Sequence, residues 1–157
     1  FWYRSKNHTH FGLEYDHDGV MENHGRGWQP AHEVDKAIEF MKQPRENPFF
    51  MVLSFGPPHN GVYPGFGDKR HTPGDFSHRK GGYGYYAPEE FEAPFRNLKE
   101  EDIRQNIRPV RVNGGPVPGE TESALGAVPG YFGACAALDA DFGRLLAHLK
   151  SSGLEDD

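Results

Sequence analysis

The sequence contains little sulfur and no long apolar run. Cys135 is the single cysteine among 157 residues, which excludes an internal disulfide framework and a metal site built from paired cysteines. Cys135 lies in a helical pattern, and this favours a small buried thiol on a helix face over a catalytic nucleophile. No apolar stretch approaches the roughly 18 residues that a membrane-spanning helix needs. We therefore expect no membrane span.

Apolar side chains and positive charge are also scarce. The hydrophobic fraction is 36% and the mean hydropathy is -0.77, whereas there are 20 glycines and 13 prolines, so long irregular segments are favoured over a compact core. A net charge of -6 argues against a nucleic-acid partner, because phosphate binding needs clustered cations. The chain starts at Phe1 without an initiator methionine or a visible signal peptide, and we expect an internal piece of a longer protein.

The first 29 residues combine aromatic, His, Asp and Gly residues without a clear period. This pattern predicts a surface loop over residues 1–29 with at most one short strand. Four histidines in this segment invite a metal-site hypothesis, but their spacing matches no standard site, and we expect solvated loop histidines instead. They are His8, His10, His17 and His24.

Hydrophobic periodicity predicts two helices and one strand in the rest of the chain. Apolar residues at helical spacing predict a helix over Pro30–Lys42, and a second, longer pattern predicts a helix over Pro129–Ser152 that ends at Gly153. Phe49–Phe55 is apolar at nearly every position, as in a strand that is buried on both faces. The Gly- and Pro-rich residues 60–128 between them predict a long loop region.

The turn that follows the predicted strand carries the main candidate site residue. Gly56, Pro57 and Pro58 lead directly into His59. Two successive prolines fix φ and remove two backbone donors, so His59 has little conformational freedom at the carboxyl end of a strand. Open α/β sheets place their ligand groups at that end. On this motif alone, His59 is either a substrate-binding residue or a structural histidine that closes a loop.

Taken in order, several segments resemble the type I sulfatases of the alkaline phosphatase-like superfamily. The helix before the strand begins at Trp28-Gln29-Pro30 and continues through Asp35–Phe40. The Pro-Pro-His turn and a long loop ending in Tyr86–Glu90 follow. The last helix carries the run Tyr131–Leu146, with Leu-Asp and Gly-Arg pairs. The resemblance is good over residues 28–59 and 129–157 and loose between them.

The resemblance implies an α/β/α sandwich with a mostly parallel sheet and long Gly/Pro-rich loops, of which this chain is the central portion of the catalytic domain. The portion divides into a loop at 1–29, a helix, strand and Pro-Pro-His turn at 30–59, a long loop region at 60–128 and a helix at 129–153. In that family His59 would hydrogen-bond the sulfate or its leaving-group oxygen, as both a catalytic and a substrate-binding residue.

The resemblance also implies what must lie elsewhere. The family's nucleophile is a formylglycine made from a cysteine in a Cys-x-Pro-x-Arg motif, and Cys135 does not match that motif. The aspartates that hold the calcium ion are missing as well, so the ligands of this cofactor are expected outside the chain and no metal ligand is assigned within it. We therefore expect the chain alone to be inactive.

The function implied is hydrolysis of a small-molecule or saccharide sulfate monoester. Two alternatives stay open, because the Pro-Pro-His turn does not fix the ester. The first is a phosphonate or phosphate monoester hydrolase of the same superfamily, and the second is a non-catalytic α/β fragment or binding domain. The resemblance favours a secreted, periplasmic or lysosomal protein over a cytoplasmic one.

Overall fold

The computed structural model describes residues 2–5, 10–59, 61–62, 83–103 and 124–155. In chain order its strands and α-helices are β1 (Tyr3–Ser5), β2 (Gly12–His17), β3 (Val20–Arg26), α1 (Gln29–Met41), β4 (Gly61–Val62), β5 (Tyr83–Gly84), α2 (Glu89–Glu92) and α3 (Ala124–Ser152). Short 3-10 turns at Ala93–Phe95 and Glu100–Asp102 follow α2. The protein is thus a mixed α/β chain.

The amino-terminal segment forms a three-stranded antiparallel sheet in the order β1-β2-β3, so the prediction of a loop over residues 1–29 was wrong. Asp18 and Gly19 connect β2 to β3, and both have positive φ, 49° and 89°. An Asp-Gly pair in this conformation makes the tight turn whose twist matches that of paired strands. The local turn therefore supplies both strands with partners, although their side chains lack a strict alternation.

The first helix agrees with the prediction and differs by one residue at each end. It spans Gln29–Met41, with Pro30 in the first turn, where a missing N–H costs nothing. Its apolar stripe is buried through Val34, Ala37 and Met41. The helix therefore has one face available for packing.

The long helix is confirmed but begins earlier than predicted. It starts at Ala124, so Pro129 lies inside it instead of at its first turn, because good helix formers such as Ala124, Leu125 and Ala127 precede the proline. Gly153, with φ 74°, ends the helix as predicted. The N–H of Leu154 donates to Leu149 O at 3.0 Å, and the N–H of Gly153 donates to Lys150 O at 3.4 Å, which is a Schellman arrangement.

Two buried clusters join the helices. One contains Phe11, Trp28, Tyr86, Ala87, Ala134 and Ala137, and the other contains Val34, Ala37, Met41 and Leu145. At the first cluster α3 comes so close to α2 that a Cβ on Gly133 would lie 2.9 Å from Glu92 Cα. Glycine is required there by the close approach of the two backbones.

Phe49–Phe55 is an extended segment and not a strand, so this prediction was wrong for the residues that the structure describes. The backbone of Phe49–Phe55 forms no ladder of hydrogen bonds with a neighbouring strand, because the strands that the structure describes pair only with one another. The expected burial on both faces is also absent, since Phe50 is 90% exposed and Val52 is 75% exposed. An apolar run alone does not supply the neighbouring strands that a buried position needs.

The sheets of the described residues are antiparallel and small. Besides β1–β3 they comprise a two-residue pairing of β4 with β5, in which Gly61 lies opposite Gly84. Within the predicted loop region 60–128, the structure instead places β4, β5, α2 and the first residues of α3, and the remainder lies outside the described residues. Among the described helices, none combines the length and apolar character that crossing a membrane requires.

Candidate functional site

The Pro-Pro-His turn presents the His59 side chain to solvent on a closed main-chain turn. The N–H of His59 donates to Gly56 O at 3.1 Å, and the Pro57–Pro58 peptide bond between them is cis. Pro57 is buried, whereas His59 is exposed. A side chain that reaches solvent from a fixed main chain is suited to binding a ligand.

The extended segment before the turn anchors it to the helices. Met51, Leu53 and Phe55 pack against the cluster of α1 and α3 that contains Val34 and Leu145. Alternate side chains of an extended segment point to opposite sides, so the residues between them face away from the helices. The turn therefore starts from a segment that is attached on one side only.

The main chain of residues 50–55 makes no hydrogen bond to another described residue. At the same time Phe50 and Val52 are exposed. Extended backbone with open donors and acceptors and one apolar face in water has the properties of a strand without its neighbours. The segment that carries His59 therefore has no strand partner among the described residues.

His10 connects the turn to the loop before α2. Its ring is 4% exposed, with Nδ1 2.9 Å from Tyr86 O and Nε2 2.7 Å from His59 O. Trp28 meets the ring edge-on, with the two ring centroids 5.8 Å apart. Burial lowers the pKa of His10 below its usual value, although both carbonyl contacts favour the protonated ring. The expectation of a solvated loop histidine was wrong for His10.

His17 and His24 sit on neighbouring strands and share one acceptor. His17 Nδ1 and His24 Nε2 each lie 2.8 Å from a different carboxylate oxygen of Glu22. These hydrogen bonds hold the pKa of Glu22 below its usual range. The arrangement is a hydrogen-bonded surface group on β2 and β3, while His8 lies outside the described residues.

Tyr3, Tyr15 and His32 form a second polar group where the sheet meets α1. Tyr3 OH lies 2.8 Å from His32 Nε2, and the rings of Tyr3 and Tyr15 stack with centroids 4.6 Å apart. Burial raises the pKa of both tyrosines and lowers that of His32. All three groups therefore favour their neutral forms, which suits packing between sheet and helix.

An ion pair fixes the two long helices that support the extended segment. Arg144 on α3 contacts Asp35 on α1, and its other terminal nitrogen donates to Asp141 Oδ1 at 3.0 Å. Burial raises the pKa of Asp141, and the hydrogen bond from Arg144 opposes that shift. Arg144 of the Gly143-Arg144 pair thus has a structural role, because it joins α3 to α1.

The described residues do not fit a calcium site. Among them, no group of three or more His, Cys, Asp or Glu side chains could hold a metal ion. The buried carboxyl Asp141 is paired with Arg144, and Glu33 accepts a hydrogen bond from Tyr15 at 3.3 Å. A calcium ion would therefore need ligands from outside the described residues.

Cys135 and His10 are two residues whose surroundings differ from those expected from the sequence. Cys135 is a free thiol, half-buried on α3, so it is less buried than expected. The structure does not bring Cys135 to the Pro-Pro-His turn through any described contact. His10 was missed as a site residue because its two carbonyl partners lie 49 and 76 positions away in the sequence. No local pattern carries that information.

Comparison with known proteins gives no relative from which to transfer a function. No family model, no curated protein and no solved structure matches the chain.

Proposed function

We propose that this chain is the central portion of a calcium-dependent sulfatase, an enzyme that hydrolyses a sulfate monoester, and that His59 binds the sulfate group. The observation that carries the proposal is the exposed residue His59 on the closed Gly56–His59 turn. The sulfatase-like order of the segments in the sequence supports it. Under this proposal the nucleophile, a formylglycine, and the calcium ligands come from outside the chain.

The role of His59 follows from the charge that develops during ester cleavage. Negative charge grows on the sulfuryl oxygens and on the leaving oxygen, and an imidazole N–H can donate a hydrogen bond to either. A donor that is fixed before the reaction stabilises this charge without reorganisation, an effect of about 10²–10³ in rate. The main-chain hydrogen bond of the turn and the packing of Phe55 supply that fixation.

The open edges of Phe49–Phe55 support a larger sheet in the proposed enzyme. An extended apolar segment gains hydrogen bonds and burial when strands lie on either side of it. The proposed fold is an alkaline phosphatase-like α/β/α sandwich with a mostly parallel sheet, in which this segment is one of the strands. The proposal also places the enzyme in a secreted, periplasmic or lysosomal setting.

The substrate class is tested with the intact protein, meaning the natural polypeptide in which this chain occurs. Turnover of an aryl sulfate is compared with that of the matching aryl phosphate, with calcium and after chelation. The proposal predicts sulfate turnover that is lost with calcium removal. A preference for the phosphate ester would favour the phosphonate or phosphate monoester hydrolase instead. Absence of turnover on both esters would favour a non-catalytic α/β domain.

The sequences that flank the chain provide a second, independent check. A Cys-x-Pro-x-Arg or Ser-x-Pro-x-Arg motif before it and an Asp-His-Gly or Asp-Asn-Gly segment after it would support the sulfatase. A serine or threonine nucleophile without that motif would favour phosphatase chemistry. If the flanking sequences contained none of these features, both enzyme proposals would fail.

A further inference from the structure

We propose that His10 is a positioning residue for His59: it holds the Pro-Pro-His turn by donating a hydrogen bond from its ring to the main-chain oxygen of His59. The inference rests on the function proposed above and assigns a role to a residue that does not itself reach the substrate. Nε2 of His10 lies 2.7 Å from His59 O, whereas the ring itself is 4% exposed.

The position of the His10 ring is fixed by the start of α1 and by Trp28. The N–H of Gln29, the first residue of α1, donates to His10 O at 2.9 Å. The ring meets Trp28 edge-on, and its other nitrogen lies 2.9 Å from Tyr86 O. A ring held by the start of α1 and packed against Trp28 can transmit that rigidity to the turn through its hydrogen bond to His59 O, because a hydrogen bond has a narrow range of distance and angle.

The two carbonyl contacts of His10 differ in length, and the neutral ring can donate to only one of them. Both contacts of His10 are to acceptors, and a neutral imidazole has one N–H. Burial favours the neutral ring. The shorter contact is the one to His59 O, so we place the proton on Nε2. The Tyr86 contact becomes a hydrogen bond only in the doubly protonated ring.

The charged groups around the ring leave this assignment unopposed. The His59 side chain acts on His10 as a like charge and disfavours its protonated form. The buried carboxylates on the packed helices face basic partners, with Glu92 of α2 3.7 Å from Arg96 and Asp141 of α3 3.0 Å from Arg144. Burial and the like charge of the His59 side chain therefore both favour a single proton on His10, against the two carbonyl contacts.

Two variants of the intact protein separate positioning from folding. His10→Phe keeps a ring of similar size and removes the donor, and we expect kcat on an aryl sulfate to fall roughly 10- to 100-fold, as for a misplaced catalytic group. His10→Gln retains an amide donor and should recover part of that loss. His24→Phe is the matched control, since it removes an exposed imidazole that bonds Glu22. Unchanged kcat in folded His10→Phe, or no recovery in a folded His10→Gln, would overturn the proposal.

A spectroscopic measurement tests the same hydrogen bond without any activity. In the intact protein labelled with ¹⁵N-histidine, the ring-nitrogen shifts of His10 at neutral pH should show a protonated Nε2 and an unprotonated Nδ1. The His59 carbonyl signal should shift in His10→Phe and stay in place in His24→Phe. A proton on Nδ1 alone, or an unmoved His59 carbonyl in His10→Phe, would overturn the positioning role. These readouts remain valid if no sulfate ester is hydrolysed, so failure of the proposed function is distinguishable.

Discussion

Each strand of the β2–β3 hairpin is about as long as the extended segment Phe49–Phe55, but the strands are hydrogen-bonded to a neighbour, whereas the segment pairs with no described strand. Tyr15 pairs with Glu22 across the hairpin as one of five such pairs, of which four lie between a bulge and the turn and one, Gly12 with Arg26, lies beyond the bulge. The main chain of residues 50–55, in contrast, bonds to no other described residue. The hairpin brings its own partner a few residues later, whereas the apolar segment needs partners that are distant in sequence.

The difference explains where the candidate site sits. The β2–β3 hairpin, closed by Asp18 and Gly19, is stabilised by pairing between strands that are close in sequence. It carries no candidate catalytic residue. The segment that leads to His59 is held by helix packing on one face and is open on the other. Under the proposed function, strands from outside the chain would complete a site on such a segment.

The largest effect is expected for activity of the chain by itself. Residues 1–157 without flanking sequence should show no aryl sulfate turnover with calcium present, because the described residues offer neither a metal site nor the expected nucleophile. The assay compares the chain with its His59→Ala variant under the same conditions. Turnover above that variant would mean that the chain holds a catalytic set that the account lacks.

Amide exchange compares the two regions directly. In residues 1–157 alone, the amides of Met51–Phe55 should exchange near the rate of unprotected peptide, while the paired amides of β2 and β3 exchange more slowly. In the intact protein the Met51–Phe55 amides should become protected, since neighbouring strands would bond to them. Equal, strong protection of both regions in the isolated chain would contradict the comparison.

A related expectation concerns cooperativity. The open backbone and the exposed Phe50 and Val52 make aggregation or a loosely packed state the expected fate of residues 1–157 alone. Thermal scans and amide dispersion measure this. A single cooperative transition with well-dispersed resonances would show that the segment needs no further partners.

Glu33 on α1, which accepts a hydrogen bond from Tyr15 of β2, should make the free energy of unfolding depend on pH. Burial raises its pKa from the usual 4.5 to about 7, although the Tyr15 hydroxyl opposes the shift. Because the pKa of Glu33 is higher in the folded than in the unfolded state, folding favours the protonated carboxyl. The stability that this carboxyl contributes is fully present below pH 4.5 and is lost as the pH rises through 7. At pH 8 the loss is at most about 3 kcal/mol.

Glu33→Gln removes that titration and keeps an acceptor for Tyr15. In the intact protein its melting temperature should match the wild type near pH 4.5 and exceed it at pH 8. The histidines His10 and His32 are present in both proteins, so their contributions cancel in the difference. A difference that stays constant between the two pH values would exclude the Glu33 explanation.

Two glycines on α3 offer the smallest and most closely matched comparison. Gly133→Ala should lower the free energy of unfolding by roughly 1–3 kcal/mol, because its Cβ would lie 2.9 Å from the backbone of Glu92. Gly143→Ala should raise it by about 0.5–1 kcal/mol, since nothing lies within 4 Å and alanine favours a helix. Melting temperatures of both variants in the intact protein provide the test. Equal shifts in melting temperature would mean that α2 and α3 are farther apart at Gly133 than in the structure.

The sequence predicted the elements whose information is local and periodic. The stripe that includes Val34 and Met41 identified α1, and the stop at Gly153 identified the end of α3. The amino-terminal sheet was missed because its strongest signal is a single Asp-Gly pair amid irregular residues. Phe49–Phe55 was assigned to a strand from composition, which reports burial preference but not whether a neighbour is present.

For the candidate site, the sequence indicates the closed turn before His59, whose role stays a prediction, but not the residue that contacts the His59 carbonyl. The Pro-Pro dipeptide restricts the backbone locally, so the fixed turn could be foreseen. His10 reaches His59 and Tyr86 across long sequence separations, and its surroundings in the chain resemble those of the exposed histidines. Such a contact exists only after the sheet, α1 and the loop have packed together.

The most direct test of the central claim is a joint measurement of kcat and melting temperature for His59→Ala in the intact protein. We expect a kcat lower by roughly 10²–10³ with the melting temperature near that of the wild type, and partial activity in His59→Gln. A lower melting temperature with normal kcat per folded molecule would contradict it, and His59 would then serve only to close the loop.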